Sequence, residues 1–389
     1  MKSRLFSLDI FLDRFSALWR PQPFKEIRPN WCTQFPDLCE ALLGLSDADV
    51  VGFERDNGAL LLFLSRFLPE MGGLNDLCTL PRSGESAKVL NEATYGWKVP
   101  GRKKQQIEAF SRSIDDKHLP LLEWCGGKGH LGRTLGLLWQ QPVETVEWNA
   151  ELCKEGKRLS ERAGVVQTFH VEDALLASTA IRCCKKHVLA LHACGDLHRQ
   201  LIQTAGSVGA NAIDLSPCCY HLGCNDQYVA FNKDLSLQLS RDDRRLSVTN
   251  SGTAAPAQVT LRNREMAWKL GFDLLRREFQ SDGEYKNISP VDKSWLKLSF
   301  KHFVDQLAMR EGVNISREVD WDVLEVEAWQ RQADVMRLNL LRFAFRRAIE
   351  IWLVFDIATY LEGKGYIVSV SEFCPASITP RNILISARL

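Results

Sequence analysis

Several features that would assign this chain to a membrane, nucleic-acid-binding or metal-binding class are missing from its sequence. No apolar run approaches the ~20 residues of a membrane-spanning helix, so we expect no membrane partner. Lys and Arg number 49 against 48 Asp and Glu, and the formal net charge is +1. This balance excludes nucleic-acid binding through an overall basic surface, although not through a local basic face. There is no C-x-x-C pair of the kind that holds zinc, and no internal repeat.

What is present is ordinary globular composition. The 389 residues are 45% hydrophobic and 25% charged. At ~150 residues per domain this length allows two or three packed units, or one core with a large insertion. The two pairs of adjacent cysteines, at 183–184 and 218–219, would bridge poorly, so the twelve cysteines predict free thiols and a cytoplasmic location. Residues 1–14 contain Asp9 and Asp13, which favours an amphipathic helix over a signal peptide.

From residue 119 onward, short apolar runs alternate with helical segments. This alternation predicts an α/β fold with a parallel sheet covered by helices. A long helix and two terminal strands follow later, and their short connection predicts an antiparallel pair. The predicted strands are Pro120–Cys125, Val143–Trp148, Val165–Val171, His187–His192, Asn211–Ser216, Tyr366–Phe373 and Ile383–Ala387, and the predicted helices are Gln105–Ile114, His130–Gln140, Ala150–Ala163, Asp173–Cys183, Leu197–Val208, Val259–Gln280, Val291–Glu311 and Ala333–Glu362.

The same pattern predicts four regions along the chain. Residues 1–100 read as a helical N-terminal region and 101–220 as a ligand-binding core. Residues 221–330 read as a partly helical insertion, and 331–389 complete the core. Within these regions we expect loops at 101–104 and 247–258.

The segment after the first predicted strand is the most informative. Gly127-x-Gly129-x-x-Gly132 lies between a strand and a helix. Glycines allow a sharp turn and close backbone approach to a ligand, and the helix start presents N–H groups to an anion. The ligand would be a dinucleotide pyrophosphate or the carboxylate of S-adenosylmethionine (SAM). Five parallel strands followed by a helix and a strand pair favour SAM over NAD(P).

Two acids end the next strands. Glu147 ends the second strand, where a carboxylate can accept both ribose hydroxyls of an adenosine. Asp173 ends the third strand, where it can accept from an adenine amino group or cap the following helix.

Three motifs in this order carry a family resemblance: EWCGGKGHLGR at 123–133, LHACGDL at 191–197 and SPCCYH at 216–221. Together they resemble SAM-dependent methyltransferases of the group that includes the methyltransferase-like-25 proteins and the methyltransferase domain of the glutathione-S-transferase-C-terminal-domain-containing protein. The tRNA 2′-O-methyltransferases are more distantly similar. The resemblance covers roughly 103–221 and 335–389, where the closing segment 372–385 looks like the family's terminal hairpin.

The resemblance implies a seven-stranded Rossmann-like methyltransferase sheet and SAM as cofactor. Glycines of the loop would line SAM, Glu147 would hold the ribose and Asp173 would lie beside the adenine. The candidate cofactor-binding residues are Cys125, Gly126, Gly127, Gly129, His130, Glu147, Asp173 and His192.

Candidate catalytic residues lie at the ends of the fourth and fifth strands. His192 and Asp196 are candidate bases; alternatively His192 packs at the strand end and Asp196 caps a helix. Cys218 and Cys219 would shape the acceptor pocket. Tyr220 would stack on a flat acceptor or pack in the core.

We expect no metal site, because adjacent cysteines strain a tetrahedral site. The cluster considered for one is Cys218, Cys219, His221 and Cys224.

The sequence thus predicts a SAM-dependent methyltransferase with RNA (ribosomal or transfer RNA) as the acceptor, and local basic clusters such as 102–104 agree with a phosphate-bearing partner. The alternatives are an NAD(P)-dependent oxidoreductase and a catalytically inactive binding protein with the same fold. The sequence does not set the oligomeric state.

Overall fold

The structure is a computed structural model that describes residues 1–84, 99–115, 118–249, 256–280 and 285–389. The chain divides into two compact units. The first, the sheet unit, comprises Met1–Asp13, Asp76–Asn250 and Arg346–Leu389; the second, the helical unit, comprises Arg14–Asn75 and Ser251–Phe345. These boundaries differ from the predicted ones, because most of the N-terminal region and most of the insertion form one unit together.

The sheet unit contains a seven-stranded sheet in the order β3-β2-β1-β4-β5-β7-β6. Strands β1 to β5 pair in parallel, whereas β7 runs antiparallel to both β5 and β6. The predicted Rossmann-like sheet with an antiparallel terminal pair is confirmed. The strands are β1 (Leu121–Trp124), β2 (Val143–Glu147), β3 (Gln167–Val171), β4 (His187–Cys194), β5 (Ala212–Cys218), β6 (Ile367–Glu372) and β7 (Ile383–Arg388).

Helices connect the strands and build the second unit. They are Lys2–Arg14, Ser16–Trp19, Trp31–Gln34, Pro36–Leu43, Asp47–Arg55, Asn57–Leu64, Leu74–Cys78, Gly101–Arg112, His130–Trp139, Ala150–Ala163, Asp196–Val208, Arg241–Val248, Pro256–Gln280, Phe300–Glu311, Trp321–Ala344 and Arg346–Gly363, with 3-10 turns at Pro69–Gly73, Ala177–Cys183 and Trp295–Lys297.

Some predicted elements differ from the structure. The predicted loop at 101–104 is the first turn of a helix that follows Pro100. The predicted helix from 333 to 362 is two helices separated at Phe345, whose N–H donates to Arg342 O three residues back (3.1 Å). Asp173 begins a turn rather than a helix, because its carbonyl accepts from Leu176 N (3.1 Å).

The predicted loop at 247–258 lies partly outside the described residues. Its described ends are helical: one helix runs to Val248 and the next begins at Pro256. The helix ending at Val248 was missed by the sequence prediction. It begins with a reciprocal cap in which Ser240 Oγ accepts from Asp243 N and Asp243 accepts from Ser240 N.

The helical unit has an aromatic core of its own. Trp268 and Phe272 pack with Phe300 and Phe303, all of them buried. The helix Trp321–Ala344 also binds the N-terminal segment of this unit through arginines on carbonyl groups: Arg337 Nε donates to Leu45 O (2.7 Å) and Arg342 Nε to Trp19 O (2.9 Å). These contacts explain why two distant parts of the sequence fold together.

The most buried helix of the sheet unit, Arg346–Gly363, contains charged residues that are satisfied inside the protein. Asp356 is fully buried and accepts from Tyr228 Oη and Phe231 N, each at 2.9 Å. Asp9 accepts from Trp352 Nε1 at 2.9 Å. Among the described residues, no helix combines the length and the apolar character that crossing a bilayer requires.

Candidate active site

A cavity of about 390 Å³ opens at the carboxyl ends of the parallel strands. In open α/β sheets this edge is where ligands bind. Four of the predicted cofactor-binding residues line it together: Cys125, Glu147, Asp173 and His192. The remaining lining residues are Trp148, Ala174, Leu175, Cys194 and Leu197.

Glu147 ends β2 and connects the glycine loop to the next helix. Its Oε2 accepts from Gly127 N (2.9 Å) and its Oε1 from Asn149 N (3.0 Å). Asn149 in turn caps the helix Ala150–Ala163. A carboxylate offers about four acceptor positions, so two remain for ligand hydroxyls.

The glycine loop is packed against the protein more tightly than the sequence indicated. Gly126 N donates to Val146 O (3.1 Å) and Gly129 N to Gly126 O (3.0 Å), so these groups are already used. Gly129 has φ +66°, and a Cβ there would lie 2.3 Å from Gln167 Nε2. Glycine at this position therefore allows close packing on β3, and the predicted approach of the loop backbone to a ligand stays a prediction. Gly126, Gly127, Gly129 and His130 are not among the residues that line the cavity.

A buried acid beneath this loop was missed by the sequence analysis. Glu123 Oε2, on β1, accepts from Thr145 Oγ1 (3.2 Å) and lies 3.4 Å from Gln167 Nε2. A Cβ at Gly126 would lie 2.6 Å from its carboxyl carbon, and one at Gly132 would lie 2.7 Å from its Oε2. Burial raises the pKa of Glu123 to about 7. The only sequence signal for this role is an acid within an otherwise apolar strand.

His130 is held as a structural residue. It is buried, and its Nδ1 accepts from the guanidinium of Arg133 at 2.5 Å. Burial, together with the Arg133 charge, lowers the pKa of His130 to about 3, so the ring is neutral. Arg133 also donates to Lys128 O (3.2 Å), which fixes the turn from outside the cavity.

Asp173 lies on the cavity and also supports its own turn. Its Oδ1 accepts from Leu175 N at 2.9 Å, and its carbonyl accepts from the Thr179 hydroxyl at 2.8 Å. The alternative prediction, that Asp173 caps the helix that follows, is therefore wrong. Its carboxylate caps a turn, and the 3-10 segment begins only at Ala177.

His192 lies at an irregular point of β4, where the register against β5 shifts between Leu191 and Cys194. Its φ is +72°, and its Nε2 lies 2.7 Å from Gln106 Oε1. Because an amide oxygen only accepts, Nε2 carries the proton and Nδ1 holds the free lone pair. Burial, and then the positive charge of Lys103, lower the pKa of His192. A neutral imidazole on the cavity wall can accept a proton.

Asp196, the other predicted base, ties two loops together. Its Oδ2 accepts from Cys224 N (2.7 Å), and its own N–H donates to Leu222 O (3.0 Å). A Cβ at the preceding Gly195 would lie only 1.4 Å from Leu222 O. Asp196 is not among the cavity-lining residues, so this geometry assigns it to loop positioning rather than to proton transfer.

The ends of β4 and β5 bring three thiols together. Cys194 and Cys218 are register partners with sulfurs 3.3 Å apart, and the Cys219 sulfur completes a group within 4.8 Å. Hydrogen bonds with the thiols of Cys194 and Cys218 lower the pKa of Cys219, whereas hydrogen bonds with Cys194 and Cys219 raise the pKa of Cys218. The predicted Cys218 and Cys219 thus lie beside the cavity wall formed by Cys194.

Of the two predicted roles of Tyr220, packing in the core is confirmed and stacking on a flat acceptor is not. It is 3% exposed and its hydroxyl donates to Pro217 O at 3.4 Å. Its ring meets His198 edge-on at 5.7 Å. The exposed aromatic at the cavity is instead Trp148, which is 74% exposed and was missed. Its position directly after the strand-end acid was the available signal.

The region that contains this cavity is similar to a known protein family. Residues 102–223 match the profile of a family described as "Methyltransferase domain". The match covers less than half of the chain but includes β1 to β5 and every cavity-lining residue. No curated protein matches the chain. The match supports a methyltransferase function for the sheet unit.

Proposed function

We propose that the protein is a SAM-dependent methyltransferase that modifies RNA. The observation that carries the cofactor assignment is the cavity at the strand ends, lined by Glu147, Asp173 and His192. Its volume of about 390 Å³ falls within the usual range of cofactor pockets, ~300–1,000 Å³. The sheet order and the methyltransferase-domain match favour SAM over NAD(P) in this cavity.

The lining residues fit the parts of SAM. Glu147 has acceptor capacity left for the ribose hydroxyls, and Asp173 can accept from the adenine amino group. The exposed indole of Trp148 and the side chain of Leu175 offer apolar faces for a flat base. When bound, SAM supplies an activated methyl group, so the protein's tasks are alignment and exclusion of water.

His192 is the proposed base. Its Nε2 carries the proton and donates it to Gln106 Oε1, so Nδ1 is the unprotonated nitrogen. The lowered pKa of His192 keeps the ring neutral at neutral pH. A neutral imidazole here would take up the proton that an acceptor hydroxyl or amino group loses when it is methylated. Asp196, Cys218 and Cys219 shape the surrounding loops.

Positive charge on this side of the sheet supports an anionic acceptor. Lys103 and Arg381 both act electrostatically on His192, and Arg245 acts on the nearby His221. Such charges suit phosphates of RNA. The motif resemblance to methyltransferase-like-25 proteins and to tRNA methyltransferases favours ribosomal or transfer RNA. All twelve cysteines are free thiols, in keeping with the proposed cytoplasmic location.

Binding is the first test. Calorimetry with SAM, S-adenosylhomocysteine, NAD and NADP should show binding of the first two only. At 100 times the dissociation constant SAM should stabilise the protein by ~2.7 kcal/mol. Glu147→Gln should weaken SAM binding about 10- to 100-fold, because hydrogen bonds to a charged group contribute roughly 1.5–3 kcal/mol. The exposed Glu151→Gln is the matched control. Preferential binding of NAD or NADP would favour the alternative of an oxidoreductase. Absence of any cofactor binding would favour the alternative of a catalytically inactive binding protein.

Transfer is the second test. Tritium from labelled SAM should enter the RNA fraction of cells that lack the protein, and not their proteins or small molecules. His192→Ala should bind SAM normally and transfer more slowly. Label in the protein or small-molecule fraction would refute RNA as acceptor while leaving the cofactor assignment intact.

A further inference from the structure

Three sulfur atoms meet beside the cavity, and they come from two separate motifs. Cys194 ends β4, Cys218 ends β5 and Cys219 follows directly. All three sulfurs lie within 4.8 Å of one another, and none is in a disulfide. Among the groups of His, Cys, Asp and Glu in the described residues, this is the one whose ligand atoms converge in this way.

The surrounding backbone fixes this arrangement. Cys194 pairs with Cys218 across the parallel strands, and Gly195 N donates to Cys218 O at 3.1 Å. Leu222 O lies where any side chain at Gly195 would be, and Asp196 holds the loop through Cys224 N. Cys219 has φ +49°, a left-handed conformation that is unfavourable for a residue with a side chain. The strain is held by the loop and keeps its thiol beside the other two.

We propose that Cys194, Cys218 and Cys219 bind one Zn²⁺ ion. Zinc takes thiolate sulfurs at about 2.3 Å, which places the sulfurs of a tetrahedral site about 3.8 Å apart. The Cys194–Cys218 separation of 3.3 Å needs only about 0.5 Å of widening to reach that value. The proposal departs from the sequence-based expectation of no metal site. Its ligand set also differs from the cluster considered there, since Cys194 supplies a sulfur and Cys224 is exposed.

Charge and access both suit such an ion. Three thiolates and Zn²⁺ carry a net charge of −1, and the positive charge of Arg381 acts on Cys194 and Cys219. Arg381 is anchored there because its carbonyl accepts from Ser216 Oγ on β5 (3.3 Å). Three protein ligands leave one tetrahedral position for water or a nucleophile. Because Cys194 lines the cavity, the fourth coordination position lies near the space where a ligand would bind.

The test uses the full chain, purified under reducing conditions without chelators. Elemental analysis should find one zinc per chain, and X-ray absorption at the zinc edge should show sulfur neighbours at about 2.3 Å. Cys194→Ser and Cys219→Ser should each lose the stoichiometric ion. Cys224→Ser, an exposed cysteine in the same loop, should keep it. Circular dichroism confirms that each variant is folded.

Wild-type protein that neither contains zinc nor takes it up in competition with a chromophoric chelator would overturn the proposal. Equal zinc content in the wild type and both cluster variants would also overturn it, because other cysteines would then be the ligands. The absorption spectrum of the wild type needs no variant, so a misfolded variant does not obscure the result. SAM titration of the same preparations reports on the proposed function independently.

Discussion

Replacing Glu123 by Gln should stabilise the protein at neutral and alkaline pH. This acid lies on β1 beneath the glycine loop and is 4% exposed. It accepts from Thr145 and approaches Gln167, and the positive charges of Arg133 and Lys103 also favour its ionised form. Burial therefore outweighs the favourable contacts, and the pKa rises from its ordinary 4.5 to about 7.

The size and sign of this stability change follow from the difference between the pKa of Glu123 in the folded and in the unfolded state. Below pH 4.5 Glu123 is protonated in both states and costs nothing. As the pH rises from 4.5 to 7 the unfolded chain ionises first, so stability is progressively lost. Above pH 7 the accumulated loss is about 3 kcal/mol, at 1.36 kcal/mol for each pH unit. Glu123→Gln is uncharged in both states and removes this loss.

The assay is chemical unfolding of the wild type and Glu123→Gln between pH 4.5 and 8.5, with hydrogen exchange of peptides covering β1 to localise the effect. The gain should be near zero at pH 4.5 and reach up to about 3 kcal/mol at pH 8. The exposed Glu161→Gln is the control and should show no such pH-dependent gain. A destabilisation of equal size at both pH values would refute the reasoning, because the carboxyl group would then be an ionised partner of Arg133.

Three further predictions address the loop, the cofactor and the base. Gly129→Ala should lower the thermal midpoint more than Gly127→Ala. Both glycines have positive φ, which costs a residue with a side chain roughly 1–2 kcal/mol, but only at 129 would a Cβ lie 2.3 Å from another side chain. Equal shifts of the two midpoints would contradict this reasoning. Trp148→Ala should weaken SAM binding about 5- to 100-fold by calorimetry with little change in stability, because stacking contributes roughly 1–3 kcal/mol and the indole is exposed. In pH–rate profiles, Lys103→Gln should move the acid limb to higher pH, because the Lys103 charge lowers the pKa of His192; an unmoved limb would exclude His192 as the base.

The sheet could be predicted from the sequence because strand and helix periods alternate clearly between 119 and 221. The carboxyl ends of parallel strands meet at one edge of a sheet, where ligands bind. This rule also predicts that one cavity is lined by Glu147, Asp173 and His192. The division into units could not be predicted. It depends on contacts between distant segments, among them the hydrogen bond from Arg337 to Leu45 O, and such contacts have no periodic signature.

Within the site, the sequence indicated which residues lie near the ligand but not what each one contacts. Gln106 reaches His192 across 86 positions and sets its tautomer, and nothing near Gln106 marks it. The pairing of Cys194 with Cys218 depends on a register shift in β4, which a sequence pattern does not specify. His130 was assigned to the cofactor by its place in a motif, although its partner Arg133 lies in the same motif.

Backbone strain recurs at the strand ends that surround the candidate site. Glycine occupies the left-handed positions 127, 129 and 195, where a side chain is not needed or would collide. Cys125, His192 and Cys219 adopt the same region at the ends of β1, β4 and β5, although strain of this kind costs of order 1–3 kcal/mol each. Glycine at those three positions would relieve that cost. Cys125 and His192 line the cavity, and Cys219 completes the sulfur cluster beside it. Of the six described non-glycine residues with positive φ, these three therefore lie at the cavity or the sulfur cluster, whereas His118, Gln140 and Lys185 belong to neither. At these three positions the strain keeps a side chain at the site, where glycine would remove it.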